Sequence, residues 1–197
     1  MSIIINKCLQ TPLSELNLPL KLKWRRGKDL PFGMWQYPGM VVFKEKVYIG
    51  GGYASSDRER QTVMVYDPKQ DSYDTLPPYT CKWFSMAVVN NQLVLVGGKD
   101  VQTGMVTNKL GVWSEEPKRW THPLSPMITA CESPSVATHN NRWLVVMGGY
   151  DGETQISRVE ILNTDSTQWY HAASLPQPLS YSPPAIIGNV LSLGWLH

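Results

Sequence analysis

The sequence predicts an all-β fold made of repeated four-stranded blades, and three features that recur in phase support this prediction. Glycine doublets begin at Gly51, Gly97 and Gly148, which lie 46 and 51 residues apart. A short apolar run precedes each doublet, and a pair of large side chains seven residues apart follows it. A repeat of about 50 residues that contains four short strands is typical of a β-propeller blade.

The first half of each repeat has the pattern of a β-hairpin. In the second repeat, the apolar runs 86–89 and 93–96 flank the pair Asn90-Asn91. The corresponding polar pairs in the other repeats are Lys44-Glu45 and Asn140-Asn141. Two-residue hairpin turns need positive φ, which Asn tolerates, so each pair predicts a tight turn between the first two strands.

The second half of each repeat predicts two more strands. Large side chains seven residues apart mark them, at Tyr66 and Tyr73, Trp113 and Trp120, and Leu162 and Trp169. Turn residues separate the two members, and Leu-Pro follows in two repeats, at Leu76-Pro77 and Leu175-Pro176. Each unit is therefore predicted to contain two hairpins and to pack against its neighbours, because one four-stranded sheet buries neither face alone.

The periodicity sets the expected domain organisation. We expect a propeller region over residues 20–197, after a poorly defined N-terminal extension over residues 1–19. Its complete blades are expected at about 38–75, 84–122 and 133–171, with a partial blade over 183–197. Trp24 and Leu30-Pro31 predict the last strand of a preceding blade. The prediction is an incomplete ring of about three blades with a partial blade at each end.

An incomplete ring leaves strand edges and apolar blade faces uncovered. A propeller needs at least about four blades to close. Where a fourth doublet is due, the sequence reads Gly194-Trp195-Leu196-His197. We expect that the sequence is truncated, and the alternative is self-association of two half-rings through their open edges.

Composition and charge exclude several function classes. The net charge of +2 and the pI of about 8.4 are too mild for a dedicated nucleic-acid binder. No apolar run approaches the roughly 18 residues of a membrane span, and no signal-peptide core is present. The three cysteines, Cys8, Cys81 and Cys131, are odd in number and widely spaced. We therefore expect a cytoplasmic protein with neither a nucleic-acid nor a membrane partner.

The combined landmarks resemble the kelch repeat, over roughly residues 20–197. The resemblance rests on the apolar strand, the diglycine, the spaced aromatic pair and the proline-containing crossover between blades. Tyr73 stands where the family usually has Trp, and Leu162 replaces an aromatic, but both remain large and apolar. The resemblance implies a non-catalytic scaffold that binds a protein or peptide. Kelch relatives include substrate-recognition adaptors beside BTB domains in cullin-based ubiquitin ligases, and some bind actin.

The loops are the expected recognition surface, because propeller frameworks carry function on their loops. They are the segments after each doublet (53–61, 99–108 and 150–157) and the crossovers (25–36, 76–84, 121–133 and 172–182), which share one face by family analogy. Candidate partner-binding residues are Arg58, Arg60, Lys99, Asp151, Trp35 and Trp83. Arg58 and Arg60 suit an acidic peptide, because guanidinium groups match carboxylates. The alternatives are a solvated mixed-charge loop and, for Trp35, Trp83 and Phe84, packing against the adjoining blade.

Nothing in the sequence indicates a catalytic site, a cofactor or a metal site. The four histidines, His122, His139, His171 and His197, show no metal-binding spacing, and no nucleophile elbow or phosphate loop occurs. His122 and His171 each follow an outer-strand Trp by two residues, which favours a structural role. Two alternatives stay open: the propeller of a galactose oxidase-like copper enzyme, and a non-functional fragment of a larger kelch protein.

Overall fold

The fold is known from a computed structural model that describes residues 26–31, 34–36, 38–187 and 190–193. In chain order, the described elements are β1 (Met34–Gln36), β2 (Gly39–Phe43), β3 (Lys46–Gly50), β4 (Tyr53–Ala54), α1 (Asp57–Arg60), β5 (Met64–Asp67), β6 (Ser72–Thr75), β7 (Cys81–Lys82), β8 (Ser85–Val89), β9 (Gln92–Val96), β10 (Lys99–Asp100), β11 (Leu110–Glu115), β12 (Lys118–Thr121), β13 (Ser135–His139), β14 (Trp143–Met147), β15 (Val159–Asn163), β16 (Gln168–His171), β17 (Pro184–Ile187) and β18 (Val190–Leu193).

Three four-stranded antiparallel sheets form three consecutive blades. Their strand orders are β2-β3-β5-β6, β8-β9-β11-β12 and β13-β14-β15-β16, and the hairpin β17-β18 opens a fourth unit. The first strands, β2, β8, β13 and β17, are neighbours in space and form the inner edge of the array. The architecture is thus part of a β-propeller, and the predicted all-β class is confirmed. The single helical turn α1 and the short strands β1, β4, β7 and β10 were not predicted.

The predicted hairpin turns adopt the expected backbone. All six turn residues have positive φ, from 48° at Lys44 to 61° at Glu45, with Asn90, Asn91, Asn140 and Asn141 between these values. Two successive positive φ angles match the right-handed twist of the flanking strands. The turn of the second blade also contacts that of the third, because the Asn90 amide donates to the Asn141 carbonyl at 2.8 Å.

The large side chains seven residues apart face each other across the two outer strands. Tyr66 lies opposite Tyr73, Trp113 opposite Trp120 and Leu162 opposite Trp169. The ring centroids are 4.8 Å apart in the first pair and 5.2 Å in the second. Trp120 Nε1 also donates to the Pro77 carbonyl at 2.8 Å, so the outer strand is tied to the preceding crossover. One repeat position therefore has one structural role in all three blades.

The glycine doublets lie where the next crossover touches the blade. Gly97 has φ of +63°, and a Cβ there would overlap the carbonyl oxygen of Cys131 in the following crossover. The amide of Gly98 donates to that same carbonyl at 2.9 Å. Only a residue without a side chain permits this approach and this φ at low cost.

The cores lie between blades. Apolar side chains of the first blade and of the second enclose crossover residues in one cluster, among them Tyr48, Val65, Tyr79, Met86 and Leu93. A second cluster joins the second and third blades around Val94, Leu110, Met127, Cys131 and Leu144. Each blade is therefore stabilised by the neighbour against which it packs.

One face of the first blade carries exposed apolar side chains. Met40 and Val42 on β2 are 64% and 69% exposed. The equivalent residues of the second blade, Met86 and Val88, pack against the first blade instead. Self-association through such an open face stays a prediction.

Several features of the sequence lie outside the described residues. They are the extension 1–19 with Cys8, Trp24, the basic residues Lys21, Lys23 and Arg25, and the end of the chain from Gly194 to His197. Cys81 and Cys131 are described, and both are buried free thiols. Burial, with smaller contributions from nearby carboxylates, raises the pKa of Cys131 to about 12.

The contact between doublet and crossover yields a stability prediction. We expect Gly97→Ala to lower the unfolding free energy by about 2–5 kcal/mol, because it adds overpacking to a left-handed backbone. Gly104→Ala is the matched control, since Gly104 has φ of +70° but no atom within 4 Å of the position that a Cβ would take. It should cost only the conformational penalty of about 1–2 kcal/mol. Urea denaturation measures both, and equal losses would contradict the packing role of Gly97.

Candidate protein-binding face

The loops after the doublets and the crossovers lie at one end of the blades, here called the loop face. Antiparallel strands alternate in direction, so the links from second to third strand and from fourth to next first strand emerge at the same end. The structure pairs them directly: β1 pairs with β4, and β7 with β10. An isolated bridge joins Glu132 to Tyr150 at the equivalent place in the third blade. The loop face is thus fixed by backbone hydrogen bonds.

The first loop contains the helical turn α1. Ser56 and Glu59 form a capping box, in which the Ser56 hydroxyl accepts from the Glu59 amide and the Glu59 carboxylate accepts from the Ser56 amide. The motif Ser-x-x-Glu is a sequence signal for such a turn. None of the four helical residues is buried, so the turn is an exposed feature of the face.

The Arg60 side chain makes its polar contacts within its own loop. Its Nε donates to the Ala54 carbonyl at 2.9 Å, and its Nη1 lies 3.0 Å from Asp57 Oδ1. The same Asp57 oxygen lies 2.9 Å from Lys82 Nζ. Hydrogen bonding to Lys82 holds the pKa of Asp57 below its usual range. Arg60 is therefore a loop-ordering residue, whereas the neighbouring Arg58 is exposed.

Trp83 lies at the centre of a group of aromatic and charged side chains. Its ring centroid is 5.5 Å from that of Tyr53, and the ammonium groups of Lys82 and Lys99 lie 4.7 Å and 5.7 Å from it. Tyr181 lies 6.3 Å from Tyr53 on the other side. Together with Glu132, these residues are called the Trp83 cluster. Ammonium groups over an indole face gain cation–π attraction.

Glu132 brings a buried carboxylate to this cluster. It is only 6% exposed, and among the described residues its Oε2 has no hydrogen-bond partner. Burial raises the pKa of this carboxyl, while Lys99 and Lys82 act in the opposite direction. Trp83 Nε1 is likewise buried with no partner in the described part of the chain. Such unsatisfied groups cost stability, and they occur preferentially at functional sites.

Three crossover residues at or beside the cluster have an unusual backbone conformation. Trp83, Ser133 and Tyr181 occupy equivalent places before the inner strands, and all three have positive φ, between 51° and 57°. The Ser133 amide donates to the Trp83 carbonyl at 2.8 Å, and the Tyr181 amide donates to the Ser133 carbonyl at 3.1 Å. For bulky residues this conformation is unusual and persists only where the surroundings impose it. Ser133 and Tyr181 also line a groove of about 340 Å³ beside the inner strands.

The six candidate residues from the sequence separate into three groups. Trp83 and Lys99 lie together in the cluster, and Arg58 is exposed on the adjacent turn. Arg60 is not free for a partner, and Asp151 caps its own loop by accepting from the amides of Glu153 and Thr154 at 2.9 Å. The side chain of Trp35 lies outside the described part of the chain. Phe84, which is 2% exposed, belongs to the core between blades.

Sequence analysis missed Tyr53, Lys82, Glu132 and Tyr181 as members of the cluster. All four lie in segments that were predicted to form the recognition surface, but no local pattern distinguishes them from other loop residues. Met105 and Ile128, on a loop and a crossover of the same face, were also missed; they are 69% and 47% exposed. They add apolar surface to the loop face.

His122 Nδ1 lies 2.7 Å from the Leu110 carbonyl, whereas His171 at the equivalent repeat position is exposed, so a shared structural role of the two histidines stays a prediction. Within residues 26–31, 34–36, 38–187 and 190–193, no three His, Cys, Asp or Glu side chains are grouped to hold a metal ion. The same residues include no helix long and apolar enough to cross a membrane.

Comparisons with known proteins agree with the blade topology. The family model described as Kelch motif matches residues 34–78 and 131–176. Human Kelch-like protein 23 is 24% identical over 173 residues, which cover 85% of this chain and 31% of that protein. Kelch-like protein 26 of Danio rerio is 26% identical over 169 residues, 83% of this chain and 27% of the relative. Beta-scruin of Limulus polyphemus is 25% identical over 149 residues, 72% and 16% respectively.

The solved structure of YjhT shares the fold, with a TM-score of 0.71 over 86% of this chain and 61% of that one, at 14% identity. The sheet order and the loop face define the class as a β-propeller. Within that class the chain is similar to kelch-repeat proteins, as its two matched Kelch motifs and its Kelch-like relatives indicate. It spans less than a third of the length of the Kelch-like relatives named above.

The buried carboxylate yields a pH-dependent prediction. Because the folded-state pKa of Glu132 is raised, its contribution to stability is greatest at low pH and is lost as pH rises through that pKa. Glu132→Gln should therefore leave stability almost unchanged near pH 4.5 and raise it by about 1 kcal/mol near pH 7.5. Urea denaturation at both pH values measures this. Glu153→Gln, on an exposed loop, is the control and should show no such difference; a pH-independent effect of Glu132→Gln would contradict the assignment.

Proposed function

We propose that the chain is a non-catalytic protein-interaction module whose loop face binds an extended acidic segment of a partner protein. The observation that carries the proposal is the Trp83 cluster, where an indole, two tyrosines and two lysines converge on one face. Trp and Tyr are enriched among residues that dominate binding energy at interfaces. The Kelch-like relatives support a protein partner in general terms.

The charges of the face favour an acidic partner. Among the described residues, Lys99 has no carboxylate within ion-pair distance, and the Arg58 side chain has no hydrogen-bond partner. Lys82 is paired only with Asp57 in the same part of the chain. A carboxylate that approaches Trp83 therefore meets Lys99 and Arg58, which make no ion pair within the described residues, while the buried Glu132 partly offsets the charge of Lys99 and Lys82. Complementary charge of this kind speeds association and rejects partners of the wrong sign.

Exposed apolar side chains on the loop face suggest a mixed recognition mode. Met105 and Ile128 are exposed on a loop and a crossover of this face. Their position suits an apolar side chain of a partner whose acidic residues contact Lys99 and Arg58. A role as a substrate-recognition adaptor and a cytoplasmic location belong to the same hypothesis.

A random peptide library selected on the full chain tests this function. We expect the recovered peptides to be enriched in Asp and Glu and to compete with one another for one site. Lys99→Glu and Arg58→Glu should each weaken binding by about fivefold or more, because attraction becomes repulsion. Anisotropy titrations with a labelled peptide from the selection measure this change.

The control is Lys118→Glu on the outer strand β12, which makes the same charge reversal on an exposed residue away from the loop face. It should leave affinity within about twofold, a change of roughly 0.4 kcal/mol. Equal losses in Lys118→Glu and Lys99→Glu would show that bulk charge decides binding. Peptides that bind both loop-face variants as tightly as the unmodified chain would place the site elsewhere.

A further inference from the structure

We propose that Asp57 is an internal competitor at this face, and that its carboxylate holds the position on Lys82 that a partner carboxylate takes on binding. The inference rests on the proposed function and names a residue that sets its affinity and selectivity. The alternative role for Asp57 is positioning, in which it orders Lys82 for the partner. The two roles predict changes of opposite sign when the carboxylate is removed.

The contact joins a fixed cation to an exposed anion. The Lys82 side chain is 16% exposed, whereas that of Asp57 is 54% exposed, and Oδ1 lies 2.9 Å from Nζ. Lys82 is held by the pairing of β7 with β10 and by the Trp83 ring 4.7 Å from its ammonium group. Asp57 therefore covers Lys82 from the solvent side, which is the side from which a partner approaches.

Lys82 and the loop each have attachments other than Asp57, although Asp57 Oδ1 also lies 3.0 Å from Arg60 Nη1. The pairing of β7 with β10 and the Trp83 ring restrain Lys82. The loop is attached independently, because Arg60 Nε donates to the Ala54 carbonyl at 2.9 Å and Gln61 Nε2 donates to the Tyr79 carbonyl at 2.6 Å. The capping box of α1 uses Ser56 and Glu59 only. We therefore expect that the Asp57–Lys82 ion pair can be removed without unfolding the loop face.

An acidic segment with several carboxylates can displace Asp57 at little cost. An exposed ion pair is weak, so its loss lowers affinity by only about two- to fivefold. A segment that also reaches Lys99 and Arg58 recovers this loss, whereas a single carboxylate gains little by replacing Asp57. We therefore expect a partner to need more carboxylates for tight binding when Asp57 is present. Asp57 would thus favour partners with several carboxylates over partners with one.

Titration of a defined probe separates the two roles. The probe is a fluorescein-labelled eight-residue peptide in which four Glu alternate with Gly, and the matched peptide carries Gln in place of Glu. We expect Asp57→Asn to bind the Glu peptide about two- to fivefold more tightly than the unmodified chain at low ionic strength. Asp151→Asn removes the same charge from another loop of the face and retains an oxygen for the amides that Asp151 caps. It should gain less than Asp57→Asn.

A double variant assigns the gain to Lys82. In the Lys82→Gln background, Asp57→Asn should gain no more than Asp151→Asn does, because the contested cation is gone. Circular dichroism and urea denaturation of each variant verify that the fold is retained. Weaker binding by Asp57→Asn would overturn the competitor role in favour of positioning.

Equal gains in Asp57→Asn and Asp151→Asn would also overturn it, because net charge alone would then explain the effect. In either case the acidic-partner proposal stands as long as the Glu peptide binds better than the Gln peptide. If no variant prefers the Glu peptide, both the competitor and the acidic preference fail. The library selection then decides whether the loop face binds proteins of another kind.

Discussion

The close approach of each crossover to the glycine doublet of the blade before it is the constraint on which the structure depends. The Cys131 carbonyl accepts from the Gly98 amide at 2.9 Å, and any side chain at Gly97 would occupy the same space. In the next blade, the Leu179 carbonyl accepts from the Gly149 amide at 2.8 Å. A sheet that cannot bury its own faces is thereby locked to its neighbour, and the cores form in the space between them.

This constraint also shapes the loop face. The crossovers that meet the doublets continue directly into the inner strands, so their last residues must turn sharply. Trp83, Ser133 and Tyr181 make that turn with positive φ, and backbone hydrogen bonds from blade to blade hold them there. Side chains placed on such a backbone lose little freedom when a partner binds, which favours affinity. Within the described chain, the strain and the unpartnered Glu132 carboxylate oxygen are costs to stability of the kind found at functional sites.

The fold and the proposed recognition surface depend on different parts of each repeat. YjhT shares the fold with this chain at 14% identity, so the blade framework tolerates nearly complete sequence change. In this chain the doublets, the turn pairs and the large outer-strand side chains recur at equivalent places in all three blades. Loop composition differs freely on such a framework, and recognition must therefore be argued from individual side chains of the loop face rather than from the family.

The sequence by itself determined the structural elements that depend only on interactions between residues close together in the chain. Strand alternation, turn pairs with positive φ and the facing partners Tyr66–Tyr73 and Trp113–Trp120 follow from periodicity and turn chemistry within one repeat. It also predicted the segments that form the loop face, within which Arg58, Lys99 and Trp83 stay candidate partner-binding residues. The capping box of α1 was visible as Ser-x-x-Glu and was overlooked.

Only the tertiary structure decided which of those residues act together. Tyr53, Trp83, Glu132 and Tyr181 come from four segments separated by 30 to 49 residues, and their meeting depends on how blades pack. The same packing brings Lys82 into an ion pair with Asp57, and Arg60 donates a hydrogen bond to the Ala54 carbonyl. A charge in a loop has no assignable partner until the chain is folded, because electrostatic contacts depend on distance in space and not on separation in sequence.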